Sequence, residues 1–404
     1  MLLIKNIKQL LSLDEALSPK LGSINNAALV IDNERIAWCG KEHDLPQFHI
    51  SKIIDARNSL VLPGLIDCHT HMIFAGTRPN EFAERMNGES YEAIMAKGGG
   101  IMNTVNATRA ASDEELYALA HDRANKILAN GTTTIEVKSG YGLNAGDELR
   151  ILRLIKRLNE HHPLDLEPTF LGAHAVPIEF KNEPQRYVDK VVFPLLEQIA
   201  CEKLALDCDV FCEQGAFSVN DAFAILHRAH ELGMGLRAHV QQLGYSGGVS
   251  LLETLPIKSI SHADYLSPED FSIIKASGAV VEALPFASLF VPSPKHTPVK
   301  ELIKNHIPVA LATNFNPGSA MCHDLILAAR LGVTYLGFSI EDAILAITRT
   351  AAQSLGREDI GSLKMGNKAD VLITNSSSLN DFFYDWSKPC VHMVIKNGQV
   401  VNEA

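Results

Sequence analysis

The sequence predicts an α/β protein: a TIM-like (β/α)8 barrel with a small β-sandwich domain assembled from both chain ends. Three observations predict it. Eight short β-branched runs alternate with helical stretches through the middle of the chain. Both ends instead alternate apolar runs with turn residues. Histidines recur just after the predicted barrel strands. At 404 residues the chain accommodates a barrel of about 250 residues plus a smaller unit.

The strand-like runs are 61–67, 132–137, 168–172, 208–212, 235–238, 257–261, 279–284 and 308–312. Short runs of this kind, bounded by Gly and Pro, are the signal of buried parallel strands. Between them, Ser112-Asp113-Glu114-Glu115 has the form of a capping box opening an amphipathic run to Ala129, with Asn130-Gly131 as its stop. Segments 147–160, 220–232 and 268–277 repeat the helical pattern. The alternation predicts the barrel, although periodicity alone leaves a doubly wound open sheet as the alternative. The barrel is assigned to 59–355. Residues 1–58 and 356–404 form the small β domain, where Asn397-Gly398 favours a tight hairpin turn. No solenoid repeat or low-complexity linker is present.

Composition excludes several classes. Hydrophobic residues make up 46% of the chain, enough for a large core, and the net charge is −11 without a Lys/Arg block. That balance argues against nucleic acid as a partner and leaves small anionic substrates open. The seven cysteines are scattered without Cys-x-x-Cys spacing, as expected of reduced thiols in a cytoplasmic protein. Cys208 and Cys212 flank a strand-like run and read as core rather than as a zinc pair. Lys5 and Lys8 interrupt the apolar N-terminus, so no signal peptide is expected. No apolar run is long enough for a membrane span.

Barrel chemistry belongs at the C-terminal strand ends. There His69 and His71 follow strand one, His174 strand three, His239 strand five, His262 strand six and Asn314 strand eight. A lone histidine is more often structural. A His-x-His pair at a strand end is stronger, because period-two alternation sends both rings the same way. Neutral imidazole suits Zn or Fe.

With the segment Leu62-Pro63-Gly64-Leu65-Ile66-Asp67-Cys68-His69-Thr70-His71, and with Gly361 to Val371 near the end, the chain resembles the amidohydrolase superfamily. Within it, the chain is similar to the imidazolonepropionase family over nearly its whole length. That closer match is carried by Phe74 to Phe82, Gly98-Gly99-Gly100-Ile101, Lys138-Ser139-Gly140-Tyr141-Gly142-Leu143, Thr169 to Pro177, Asp209 to Glu213 and Asn316-Pro317-Gly318-Ser319. The resemblance implies hydrolysis of 4-imidazolone-5-propanoate to N-formimidoyl-L-glutamate, in histidine degradation, by a metal-activated water. It implies one Zn or Fe ion per chain on His69, His71, His239 and the strand-eight position, Asn314. Strand four ends near Glu213 rather than on a bridging lysine, which favours a mononuclear site.

The resemblance also places Arg78, Tyr91, Tyr141 and His174 on the substrate, whose carboxylate tail a guanidinium fork would clamp. Arg78 could equally be a solvated loop arginine, and either tyrosine a packing aromatic. Asn316, Gly318 and Ser319 would receive the ring, or else form an ordinary turn. His262 and Gln242 are the candidate catalytic groups. His262 would transfer a proton or stabilise an oxyanion; its bland alternative is a histidine one layer out from the metal. A homodimer is compatible with an apolar surface on the β domain.

Two positions depart from the family pattern. An aspartate is expected at 314, in Ala-Thr-Asp-x-Asn-Pro-Gly, where this chain has Ala312-Thr313-Asn314-Phe315-Asn316-Pro317-Gly318. Loss of a general base costs about 10²–10⁴ in rate. After strand five, His239-Val240-Gln241-Gln242 has Gln241 where an acid is usual, while Gln242 fits the family form. The site is therefore expected to lack two carboxylates near the metal. Two alternatives follow: a catalytically impaired homologue that binds ligand, and a hydrolase or deaminase of another cyclic amide or amidine.

Overall fold

The computed structural model describes residues 1–89, 99–181, 183–291 and 293–403. Four N-terminal strands come first: β1 (Leu2–Leu11), β2 (Ser23–Asp32), β3 (Arg35–Lys41) and β4 (Lys52–Pro63). Eight barrel strands follow: β5 (Leu65–Asp67), β6 (Thr132–Lys138), β7 (Asp165–Ala173), β8 (Asp207–Cys212), β9 (Gly235–Val240), β10 (Ile257–His262), β11 (Val280–Ala283) and β12 (Val309–Leu311). The chain ends on β13 (Val371–Thr374), β14 (Val391–Lys396) and β15 (Gln399–Glu403).

Strands β5 to β12 lie in sequence order, each parallel to the next. A doubly wound sheet would reverse its order partway, so that alternative is excluded. The seam between first and last strands closes just above them. Thr70 bridges Phe315, Asn314 N donates to His69 O at 3.0 Å, and His71 N donates to Phe315 O at 3.0 Å. Asp67 clamps the same seam by accepting from Thr313 N at 3.1 Å and Thr313 Oγ1 at 2.5 Å.

The strand-like run 61–67 is divided. Residues 61–63 end β4 in the terminal sheet, and only 65–67 enter the barrel. The change of sheet occurs at Gly64, where a Cβ would lie 2.3 Å from Thr133 Oγ1. Only glycine lets the two sheets meet that closely.

The terminal strands form one sheet in the order β15-β14-β13-β4-β1-β2-β3. The sheet curls so that its halves share a core. Ile36 of β3 packs in one cluster with Ile4, Val371 and Ile395. Ile36 N donates to Asn367 O, and Gly366 N to Ile36 O. Asn397 (φ 48°) and Gly398 (φ 74°) form the expected left-handed hairpin turn.

Helix Asp113–Ala129 starts at Ser112, whose hydroxyl accepts from Glu115 N, and ends before Gly131 (φ 90°). The reciprocal capping box is found instead at Ser218 and Asp221. Helix Ala145–His161 lays Leu149, Leu152, Ile155 and Leu158 against the barrel. Cys208 is buried in that core and all seven cysteines are free. Among the described residues no helix is long and apolar enough to cross a membrane.

Candidate metal centre and substrate cavity

The barrel mouth holds a cavity of about 490 Å³. His71, Arg78, Tyr141, His174, His239, Gln242, His262, Asn314, Asn316, Gly318 and Ser319 all line it. His69 is fully buried beside them. Tyr91 lies outside the described residues. Sequence reasoning missed Arg85, Phe211 and Gln214 in the lining. Arg85 donates to Gly318 O at 2.6 Å and so ties the first loop to the turn after β12.

Four imidazoles crowd one point. The ring centroids of His69, His71 and His239 lie 4.6–5.6 Å apart. His262 lies 5.5 Å from His239 and 6.1 Å from His69. Taken by nearest nitrogens, the tightest set is His69, His239 and His262, all within 4.8 Å of one another. The two sets share His69 and His239 and differ in the third ring. Ring packing and the His-x-His register favour His71, and nitrogen distance favours His262.

The shared pair is held from behind. His69 Nδ1 lies 3.0 Å from Glu282 Oε2 and 2.9 Å from Ser261 Oγ. His239 Nδ1 lies 3.1 Å from Asp209 Oδ1. An ionised carboxylate only accepts, so each ring carries its proton on Nδ1 and keeps the lone pair of Nε2. Those two Nε2 atoms, with His71 Nδ1 and His262 Nδ1, are buried without a hydrogen-bond partner. An orphaned buried polar atom costs about 1–3 kcal/mol. Converging imidazole lone pairs are what a divalent cation requires, so the residues fit a Zn or Fe ion. Burial, with mutual repulsion, holds His69, His71 and His262 well below the usual histidine range and His174 down to about 3. They remain neutral donors at neutral pH.

Beneath the rings, Lys138 Nζ lies 2.8 Å from both Glu136 Oε1 and Asp209 Oδ2. Burial would lower the Lys138 ammonium, but Asp209 and Glu136 outweigh it and the pKa is raised. A protonated, doubly paired lysine is no candidate for carboxylation. Burial likewise opposes ionisation of Asp209, yet His239 and Lys138 hold its carboxyl well below the usual range. The signal for these residues was in the sequence: Glu136, Lys138, Asp209 and Glu282 are charges set within runs of largely apolar or Thr residues that form barrel strands.

Around the rim, His174 stacks on His71 at 5.1 Å and lies 5.5 Å from Tyr141. The Tyr141 loop wraps around buried Glu148, which accepts from Gly140 N, Gly142 N and Leu143 N. After β12, Asn316 Oδ1 accepts from Gly318 N and Ser319 N, both at 2.8 Å. Arg78 lies so close over Gly318 that a Cβ there would meet its guanidinium, while Glu81 pairs with Arg78 at 3.5 Å.

The expectation about Gln241 needs correction. Its side chain donates to Tyr265 O at 2.9 Å and Asp270 Oδ2 at 3.2 Å, away from the imidazoles. An acid at 241 would face Asp270 rather than an ion. Glu213 is occupied too, accepting from Gln242 N at 2.7 Å and Leu243 N at 3.0 Å. The departure that remains at the site is Asn314.

Known proteins share this chain's sequence and fold. Residues 60–401 match the model of the Amidohydrolase family. An imidazolonepropionase from Shewanella halifaxensis is 39% identical over 394 residues, covering 96% of this chain and 97% of the relative. An imidazolonepropionase from Shewanella woodyi is 38% identical over 395 residues, covering 97% of each. A zinc complex of atrazine chlorohydrolase from Arthrobacter aurescens shares the fold with a TM-score of 0.72 at 17% identity, over 100% of this chain and 95% of that one. The chain therefore belongs to the amidohydrolase family and, within it, groups with the imidazolonepropionases.

Proposed function

We propose that this protein hydrolyses the ring C–N bond of 4-imidazolone-5-propanoate, giving N-formimidoyl-L-glutamate. The observation that carries the reading is one cavity holding a fixed guanidinium, Arg78, together with a cluster of neutral imidazoles. Such a cavity suits a small ring with an anionic tail. The relatives named imidazolonepropionase support the same reaction.

Arg78 binds the propionate as a bidentate fork, oriented by Glu81 and by its seat on Gly318. Tyr141 and His174 border the ring, and the Asn316–Ser319 turn closes its far side. His69, His71 and His239 would hold one Zn or Fe ion, with the Asn314 amide as a weak further donor. Bound there, the ion supplies Lewis acidity toward the ring carbonyl and toward water. The oxygen of water ends on the carbonyl carbon, which becomes a carboxylate. The ring nitrogen leaves with a proton as part of the amidine. His262, lining the same cavity, moves that proton, and Gln242 donates a hydrogen bond beside it.

A second reading is favoured by one observation. Among the described residues no Asp or Glu lines the cavity, so none of them puts a carboxylate base at hand. A slow enzyme, or a binder without turnover, is the alternative. The test is to load the protein with Zn or Fe and add 4-imidazolone-5-propanoate. Loss of its absorbance with appearance of N-formimidoyl-L-glutamate is the expected result. Binding without turnover, in the parent and in Asn314→Asp alike, would support the binder. Faster turnover of another cyclic amide or amidine would replace the proposed substrate.

A further inference from the structure

Among the described residues the groups at the centre are neutral: four imidazoles, with the Asn314 amide in the same lining. Neutral donors alone hold a divalent ion less tightly than a set that includes one anion. The charge lies one residue further out. Asp209 stands 3.1 Å behind His239, and Glu282 stands 3.0 Å behind His69. Both carboxylates are fully buried. Each is paired with a buried cation: Asp209 with Lys138 at 2.8 Å, and Glu282 with Arg237 at 2.9 Å. Ser261 Oγ adds a donor to Glu282 Oε2 at 2.7 Å.

Asp209 and Glu282 are the carboxylates in direct contact with the rings of His239 and His69. Asp207, the other partner of Arg237, is matched by Lys258 at 2.6 Å, which leaves the Arg237–Glu282 pair at 2.9 Å intact behind His69.

We propose that Asp209 and Glu282 are positioning residues that supply, through His239 and His69, the negative charge the ion does not find at position 314. Each fixes the ring's tautomer and orientation and makes its Nε2 a stronger donor. The site is an ion site with its anionic layer displaced outward, and this is how it tolerates asparagine. The inference rests on the metal reading above and is independent of the substrate.

The test uses Zn²⁺ and Co²⁺ alone, titrated into metal-free full-length protein against a competing chelator. Asp209→Asn and Glu282→Gln keep an oxygen that accepts from the ring N–H, so each removes charge while leaving the hydrogen bond. Each is expected to weaken ion binding by about ten- to a hundredfold, the usual effect of losing such a partner. The visible spectrum of bound Co²⁺ is expected to shift. Ser261→Ala removes a neutral hydrogen bond at the same ring and is expected to have a much smaller effect. Adding Asn314→Asp to Asp209→Asn returns a charge to the centre and is expected to recover most of the lost affinity. Parent-like affinity in both charge-neutralised variants, or no recovery with Asn314→Asp, would overturn the proposal. If one variant fails to fold by circular dichroism, the other reads the same charge. A parent that binds neither ion would defeat the metal reading itself, a different result from variants that bind as well as the parent.

Discussion

Asn314 has a left-handed backbone (φ 55°), and its N–H is spent on the carbonyl of His69. Asparagine and aspartate both tolerate that conformation, so the backbone does not demand the amide. Asn314→Asp is therefore expected to fold normally. Restoring a general base at this place should raise turnover by about 10²–10⁴. An unchanged rate with 4-imidazolone-5-propanoate would show that the amide is not what limits the site. The third ligand is decided by metal analysis of two variants. His71→Asn is expected to lose its ion on purification, whereas His262→Asn keeps the ion and loses turnover; the reverse pattern would exchange their roles. Arg78→Met removes one charge-assisted hydrogen-bonding fork, worth about 1.5–3 kcal/mol. That corresponds to a rise in KM of about ten- to a hundredfold, with kcat less affected, in steady-state kinetics. A variant with unaltered KM would make Arg78 a packing residue.

At the scale of single elements, the loop after β6 shows how a short segment is made rigid. It carries Tyr141 but has two glycines and no regular structure of its own. Its conformation comes from Glu148, whose carboxylate sits at the first turn of helix Ala145–His161 and collects three loop N–H groups. Arg109 secures the other side by donating to Gly142 O at 2.7 Å. In Glu148→Gln an amide N–H must face some of those donors. Such a buried mismatch costs about 1–3 kcal/mol. The expected outcome is a lower melting temperature together with a KM effect matching that of Tyr141→Phe. A stability loss with parent-like KM would confine Glu148 to structure. The strand-eight turn is built by the same logic, with Asn316 as its acceptor.

The whole molecule depends on a joint between sheet and barrel. Lys396 of β14 is buried and lies 2.8 Å from Asp165 at the start of β7 and 2.7 Å from Asp370. Lys368 joins Asp165 at 3.0 Å. Lys396→Met leaves buried Asp370 without its cation and Asp165 with Lys368 alone, and is expected to cost about 3–5 kcal/mol in denaturant unfolding. Burial alone would raise the Asp165 carboxyl, but Lys396 and Lys368 hold it below its ordinary value of 3.8. A depressed folded value means that the stabilisation is complete above that ordinary value and is lost as pH falls through the lower folded one. Acid unfolding of the parent should thus steepen below about pH 4, and Lys396→Met should flatten that limb. Parallel acid limbs in the two proteins would rule out this joint as the acid-sensitive element.

The sequence by itself determined the barrel, the terminal sheet and most of the cavity. Strand periodicity, the Asn397-Gly398 turn and the histidines at strand ends are local patterns, and local patterns follow from backbone sterics and side-chain alternation. It could not say where 61–63 would pair, because that depends on the approach of Thr133 to Gly64 across two sheets. Nor could it tell that Gln241 turns toward Asp270 while Asn314 faces the cavity, since a positive φ at each redirects a side chain the alternation would place otherwise. Above all, only the closed barrel brings Asp209 and Glu282, far apart in the chain, behind His239 and His69. Charges inside a sealed interior interact through a low dielectric, and their pairing is a property of the assembled barrel rather than of any segment.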